Sequence, residues 1–305
     1  MISVAVFAAM AVTVLLCYLV PVMLCWAAGR REKKIIVCIL LGAFGFAAPQ
    51  LLIRIPALQL LGMAAAVQRF QRLHTALYCL LLAFSAALLE TAGRVLVFGV
   101  LLKKRRSYWS GFAAGVGHGG VEAIALVGRT YVIQLILALL LIAGVSLPEE
   151  LIRAFAPMLE APAAAFLLAG AERVFAMLFQ IALSLIVCRY AMLHRLWVGA
   201  LIALLLHTAL DFAAAWLGAT GCSVLLIEGM LAAAALLALV YIRRIRRHFP
   251  IEAHPDYAKK PQADRAASAC AGGRKTDITA VHAMRNKGVL YDITRVNTFE
   301  GDKED

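Results

Sequence analysis

The stretch GVGHGGVEAIALVGRT, residues 115–130, sets a histidine and a glutamate four positions apart among glycines and ends on a glycine–arginine pair inside a long apolar run. Read as one segment, the run from 111 to 146 crosses a membrane once and the chain has seven spans. Broken at Gly128 and Arg129, it crosses twice and the chain has eight. A membrane is required by composition: 63% of the 305 residues are hydrophobic and 16% charged, with a mean hydropathy of +0.85, which lies outside the range of soluble globular chains. Runs of roughly 20 apolar residues span a hydrocarbon core of about 30 Å as helices. An outer-membrane barrel is excluded, because the alternating ten-residue strand pattern is missing.

The sequence predicts spans over 3–29, 35–52, 74–102, 111–146, 163–188, 196–217 and 222–242. The first is too long to be a cleaved signal peptide and is expected to remain as an anchor. The segment ALQLLGMAAAV, 57–67, lies between Pro56 and Arg69 and is too short to cross, so it is expected to lie in the interface or to dip in and return.

Lys and Arg in the short loops decide between seven and eight spans. With the N-terminus outside, seven spans put RREKK (30–34), KKRR (103–106), Arg189, Arg195 and RRIRR (243–247) on the inner side, fourteen basic residues against four outside. Eight spans give nine inside against ten outside and export RRIRR. Seven is the better reading, and the glycine-rich first part of the 36-residue fourth segment is then expected to be tilted, kinked or locally unwound.

Two regions follow: a transmembrane helical domain, 1–248, and a tail, 249–305, rich in Lys, Asp, Gly and Pro, expected to be disordered and cytoplasmic. The fold class is thus an all-α polytopic membrane protein, a bundle of about seven helices. The net charge of +12 reflects membrane orientation and contact with anionic lipid; no nucleic-acid module is present. Seven scattered cysteines form no Cys-x-x-Cys pair and read as small core residues.

Ionisable residues inside the spans carry the functional signal, since each costs on the order of 2.5–3.5 kcal/mol near a helix centre. The third span holds Glu90 and Arg94, the fourth His118 and Glu122, the fifth Glu172 and Arg173, and the sixth His207 and Asp211. Three of these four sets are spaced i, i+4, which stacks both side chains on one helix face. Counted from the inner basic loops, Glu90, His118, Glu172 and His207 lie at roughly 18–25 Å depth at 1.5 Å rise per residue. One wet cavity shared by four helices accounts for all of them. Gly115, Gly117, Gly119 and Gly120 would let another backbone or a substrate approach closely. Purely structural readings stand beside this: Glu90 and Arg94 also suit an intrahelical ion pair, Gln180 and Ser184 suit bridges between helices, and the buried carboxylates would equally serve an ion-coupled transporter, although no internal repeat is visible.

In this order ETAGR (90–94), GHGGVEA (117–123), ERVFAMLFQIALS (172–184) and HTALD (207–211) resemble the YhfC-like membrane peptidases, relatives of the CAAX-prenyl-protease and PrsW superfamily of intramembrane proteases. The resemblance covers about residues 1–247. It implies a protease of a bacterial plasma membrane that cleaves a membrane-anchored peptide or protein, with Glu90, Glu122, Glu172, His118, His207 and Asp211 in the chemistry and Arg94, Arg173 and Gln180 in support. It also implies a site with or without a divalent metal such as zinc, for which His118 and His207 are the available imidazoles. Two positions depart from the superfamily pattern. Leu89 and Thr91 flank Glu90 where a second adjacent glutamate is usual, and Gln180 stands where a histidine is usual. A catalytically impaired member that binds membrane segments is the alternative these departures allow.

Overall fold

The computed structural model describes residues 3–30 and 35–249. Among these are nine helices and no strand: α1 (Val4–Gly29), α2 (Ile35–Gly62), α3 (Ala65–Leu73), α4 (Thr75–Leu101), α5 (Tyr108–Ile142), α6 (Glu149–Glu160), α7 (Ala163–Met192), α8 (Leu196–Ala219) and α9 (Val224–His248). Seven of them, all but α3 and α6, are long and apolar enough to cross a bilayer. Their outward faces are covered by large apolar side chains such as Leu15, Trp26, Leu40, Leu205 and Leu237, each at least 49% exposed. Such surface is stable only against lipid, so the protein is an integral membrane protein. The tail expected beyond residue 249 lies outside the described residues.

Local signals start the helices. Ser3 accepts from the Val6 amide and Ser223 from the Leu226 amide, and Ser107 and Ser110 form a reciprocal capping box at the start of α5. The fourth span is one continuous helix. Gly128 keeps helical backbone angles (φ −54°, ψ −47°), and Arg129 is an exposed residue within the helix, so no second crossing begins there. The glycine-rich first part, expected to be tilted, kinked or locally unwound, is not unwound: it is regular α-helix to Ala123. The irregularity lies one turn later, at Ile124–Gly128, where the helix widens to π geometry.

The second span also differs from expectation. It runs from Ile35 to Gly62 through a π-turn at Gln50–Arg54, so residues 57–62 extend the span and form no separate re-entrant dip. Pro49 and Pro56 suggested a break, but the wider turn lets the helix continue past Pro49, and Pro56 falls at the start of the next regular stretch, where a missing amide hydrogen is tolerated. Arg54, expected in an outer loop, therefore sits inside the helix.

The first half of α5 and the second half of α7 form the centre. Ala113 to Gly120 are buried without interruption, as are Gln180 to Cys188. The α5 glycines explain how this is possible. A Cβ on Gly117 would run into the Ile39 carbonyl of α2, and one on Gly42 of α2 into the Ala114 carbonyl of α5. Gly115 and Gly119 lie against the backbone of Ile181 and Met177 on α7, while Gly120 meets Pro21 on α1. The close neighbours are thus the backbones and side chains of three helices, and the glycines serve helix packing.

Gly117→Ala should therefore lower stability by about 1–3 kcal/mol through overpacking. Gly229→Ala, where a Cβ meets nothing within 4 Å, should be neutral or stabilising by up to ~1 kcal/mol through helix propensity. Thermal unfolding of both variants in the same detergent checks the contrast.

Candidate active site

Glu90, Glu122, Glu172, Arg173, His207 and Asp211, from α4, α5, α7 and α8, line one cavity of about 460 Å³. The buried carboxylate among them with the most partners is Glu90 of α4. Its Oε1 accepts from Gln50 Nε2 of α2 at 2.8 Å. Its Oε2 accepts from Gln180 Nε2 of α7 at 3.0 Å and from Arg94 Nη2 at 3.4 Å. His118 Nε2 of α5 stands 3.0 Å from the same oxygen, and His207 Nδ1 of α8 stands 3.6 Å from it.

Glu122, one helical turn beyond His118, points to the same place. Its Oε2 accepts from Gln180 Nε2 at 2.6 Å and its Oε1 from Arg173 Nη1 at 3.3 Å. One amide nitrogen therefore bridges two carboxylates that would otherwise repel each other. Gln180 Oε1 faces Arg94 Nη2, which fixes the orientation of the amide. This is the position where the superfamily pattern has a histidine, and the glutamine is a buried bridge there.

Glu90, His118 and Glu122 each offer a ligand atom, and the three atoms lie within 4.8 Å of one another. This donor set suits a divalent cation on two grounds. The first is His118, whose Nε2 lies 3.0 Å from Glu90 Oε2 and 3.1 Å from Arg94 Nη2, so that a ring nitrogen and a carboxylate oxygen, both common ligand atoms for a divalent ion, sit side by side. The second ground is His207, whose buried Nδ1 has no hydrogen-bond partner while its Nε2 lies 3.3 Å from Asp211 Oδ2. A carboxylate that holds one imidazole nitrogen leaves the other free to bind metal. His118 thus belongs to the three-residue group, and His207 borders it with an unused nitrogen. Counted as ionised, Glu90, Glu122, Glu172 and Asp211 outnumber Arg54, Arg94 and Arg173 by one negative charge.

The other expected residues are placed around this group. Asp211 orients His207. Glu172 pairs with Arg173 on the cavity wall, outside the three-residue group. Gln50 and Arg54 were missed by sequence reasoning. Arg54 donates from Nε to Ser85 Oγ at 3.1 Å, from Nη2 to the Leu82 carbonyl at 2.7 Å and from Nη1 to Gln50 Oε1 at 3.4 Å, tying the π-turn of α2 to α4. A signal existed: Gln50 and Arg54 in PQLLIRIP are a further i, i+4 polar pair, hidden by ending the span at residue 52.

Residues 16–241 match the model of the family described as YhfC intramembrane metalloprotease. The chain belongs to this family. Among curated proteins, the chain is similar to the uncharacterized membrane protein YhfC of Bacillus subtilis (strain 168), with 31% identity over 130 residues, 40% of this chain and 50% of that protein. The chain thus spans about half the length of the curated relative it matches. No solved structure matches. The family match covers every residue of the buried group, so Glu90, His118 and Glu122 lie within the region that defines these metalloproteases.

Two measurements follow from this geometry. Gln50→Leu removes the donor to Glu90 Oε1 and should cost about 1–3 kcal/mol of stability, read as a lower thermal midpoint in detergent. Elemental analysis of the purified protein should find a divalent metal. His118→Ala should lower its content at least about tenfold, as loss of a ligand predicts.

Proposed function

We propose that the protein is a metallopeptidase that hydrolyses a peptide bond of a membrane-anchored peptide or protein inside the bilayer. The observation that carries this reading is the buried Glu90–His118–Glu122 group, whose two carboxylates line a cavity with both apolar and charged side chains in its wall, in a chain whose family is that of intramembrane metalloproteases. Phe46, Leu126, Phe175, Phe179 and Leu210 line the walls and suit apolar side chains of a membrane segment. The polar part of the wall supplies hydrogen-bond partners for a backbone unwound from its helix, which lipid cannot do.

Held by Glu90 and His118 together with the unpartnered Nδ1 of His207, a divalent ion such as zinc would supply Lewis acidity toward a peptide carbonyl and make water nucleophilic near neutral pH. The protein's own groups divide the remaining work. Glu90 is clamped by donors from several helices and suits a fixed ligand. Glu122 lines the cavity beside Glu90 but stands outside this ligand set, so it is the carboxylate left to take the proton from the attacking water and return it to the departing amine. Arg173 lines the same wall and offers positive charge to the oxygen that becomes anionic as the carbonyl is attacked. Gln180 holds Glu122 toward Glu90. Asp211 keeps His207 facing the site.

With a single-span protein as substrate in liposomes, Glu122→Gln should lower the cleavage rate by about 10²- to 10⁴-fold, the range for loss of a general base. Gln180→Ala should cause a smaller loss, because it releases a positioning contact. Cleavage at the wild-type rate by Glu122→Gln would remove this residue from the chemistry.

A further inference from the structure

The cavity lies toward one end of the bundle, and the packed core toward the other. Consecutive spans run in opposite directions, so the end of α2, α5 and α8 lies on the same face as the start of α4, α7 and α9. The cavity wall draws Arg54 from the later part of α2, Leu82 from the early part of α4, Leu126 from beyond the middle of α5, Arg173 from the early part of α7, Leu210 from the later part of α8, and Leu231 from the early part of α9. All six lie toward the face that carries the loops 63–74, 143–162 and 220–223.

The other half of the bundle has a packed interior, and the apolar groove between the later part of α4 and the early part of α8, lined by Val95, Gly99, Trp197 and Leu201, carries no ionisable residue. Phe98, Leu102, Leu185, Cys188, Ile242 and Ile245 belong to one buried core in that interior. Arg106 closes its end by donating to the carbonyls of Phe98 at 2.6 Å, Ala191 at 2.8 Å and Gly99 at 3.3 Å, which ties the end of α4 to the end of α7. Tyr108 adds a bond from its hydroxyl to the Ile242 carbonyl at 3.1 Å, joining α5 to α9.

The basic clusters KKRR (103–106) and RRIRR (243–247), with Arg189 and Arg195, all lie at the packed end. Short basic loops remain in the cytoplasm. We infer that the cavity receives its substrate from the extracytoplasmic half of the bilayer, and that the substrate is an exported, membrane-anchored segment whose scissile bond lies in that half. The direction of entry rests on the shape of the bundle and its charge distribution. The substrate class rests in addition on the peptidase reading above.

Thiol accessibility tests the direction without any need for activity. In a chain freed of its native cysteines, Ala176→Cys and Ala214→Cys place thiols on the cavity wall, Lys104→Cys marks the packed end, and restored Cys222 marks the cavity end. A small membrane-impermeant thiol reagent applied to intact cells should modify positions 176, 214 and 222, whereas position 104 should react only after the membrane is opened. Two cavity positions guard against one variant failing to fold. Modification of 104 in intact cells, or of 176 and 214 only from the cytoplasmic side, would overturn the inference, as would failure of both cavity thiols to react from either side.

The second arm uses two reporters that carry one apolar target segment, placed near the outer or the inner end of a single span. Cleavage of the outer reporter is expected, and cleavage of the inner one alone overturns the inference. If neither is cut while 176 and 214 react from outside, the direction of entry stands and the peptidase reading fails.

Discussion

A buried carboxylate is stable only among polar partners, and Glu90 is the point at which this requirement organises the bundle. Gln50 from α2, Arg94 from α4 itself, His118 from α5, Gln180 from α7 and His207 from α8 all lie within 3.6 Å of its oxygens. Lipid supplies no hydrophobic drive between helices, so a buried charge with partners on four other helices fixes their mutual register more strictly than apolar contact does. Breaking such a cluster leaves an uncompensated charge at a cost of several kcal/mol. The same residue therefore supports both the fold and the site.

The glycines make this convergence possible. Side chains as short as Glu and Gln meet across three helices only if the backbones come close, and the contacts of Gly42 with Ala114 and of Gly117 with Ile39 bring α2 and α5 together without intervening side chains. The π-turns add a second adjustment. The turn at Gln50–Arg54 inserts extra backbone where α2 meets α4, which brings Gln50 to Glu90 and Arg54 to Ser85 and Leu82. The turn at Ile124–Gly128 follows directly after Glu122. Irregular turns of this kind concentrate at functional sites because they re-aim side chains without unpairing the helix backbone.

Polar residues and empty space are unevenly distributed along the membrane normal. One half of the bundle is a packed apolar core, closed by Arg106 and Tyr108; the other half contains the cavity and its charged wall. A packed core on one side of a site keeps its electrostatic interactions strong by holding bulk water away. The Glu90–His118–Glu122 group, which could hold a metal ion, lies between the two, with both carboxylates at the cavity surface.

The sequence by itself determined the fold class, because apolar length and loop charge are additive properties of composition that need no tertiary information. It also singled out Glu90, His118, Glu122 and His207, since an ionisable residue in a span is too unfavourable to be incidental. Only the tertiary structure decided how they group. Glu90, His118 and Glu122 form the three-residue set, while Glu172 and Asp211 fall to its periphery, because which side chains meet depends on helix rotation and packing that i, i+4 spacing leaves free. Gln180 reads in sequence as a missing histidine; in the fold it bridges two carboxylates, a role visible only when both are in place. Gln50 and Arg54 were obscured because two prolines look like a helix end, whereas a π-turn supported by contacts to α4 carries the helix through. Local preference sets where a helix is inclined to stop, and contacts with neighbouring helices decide whether it does.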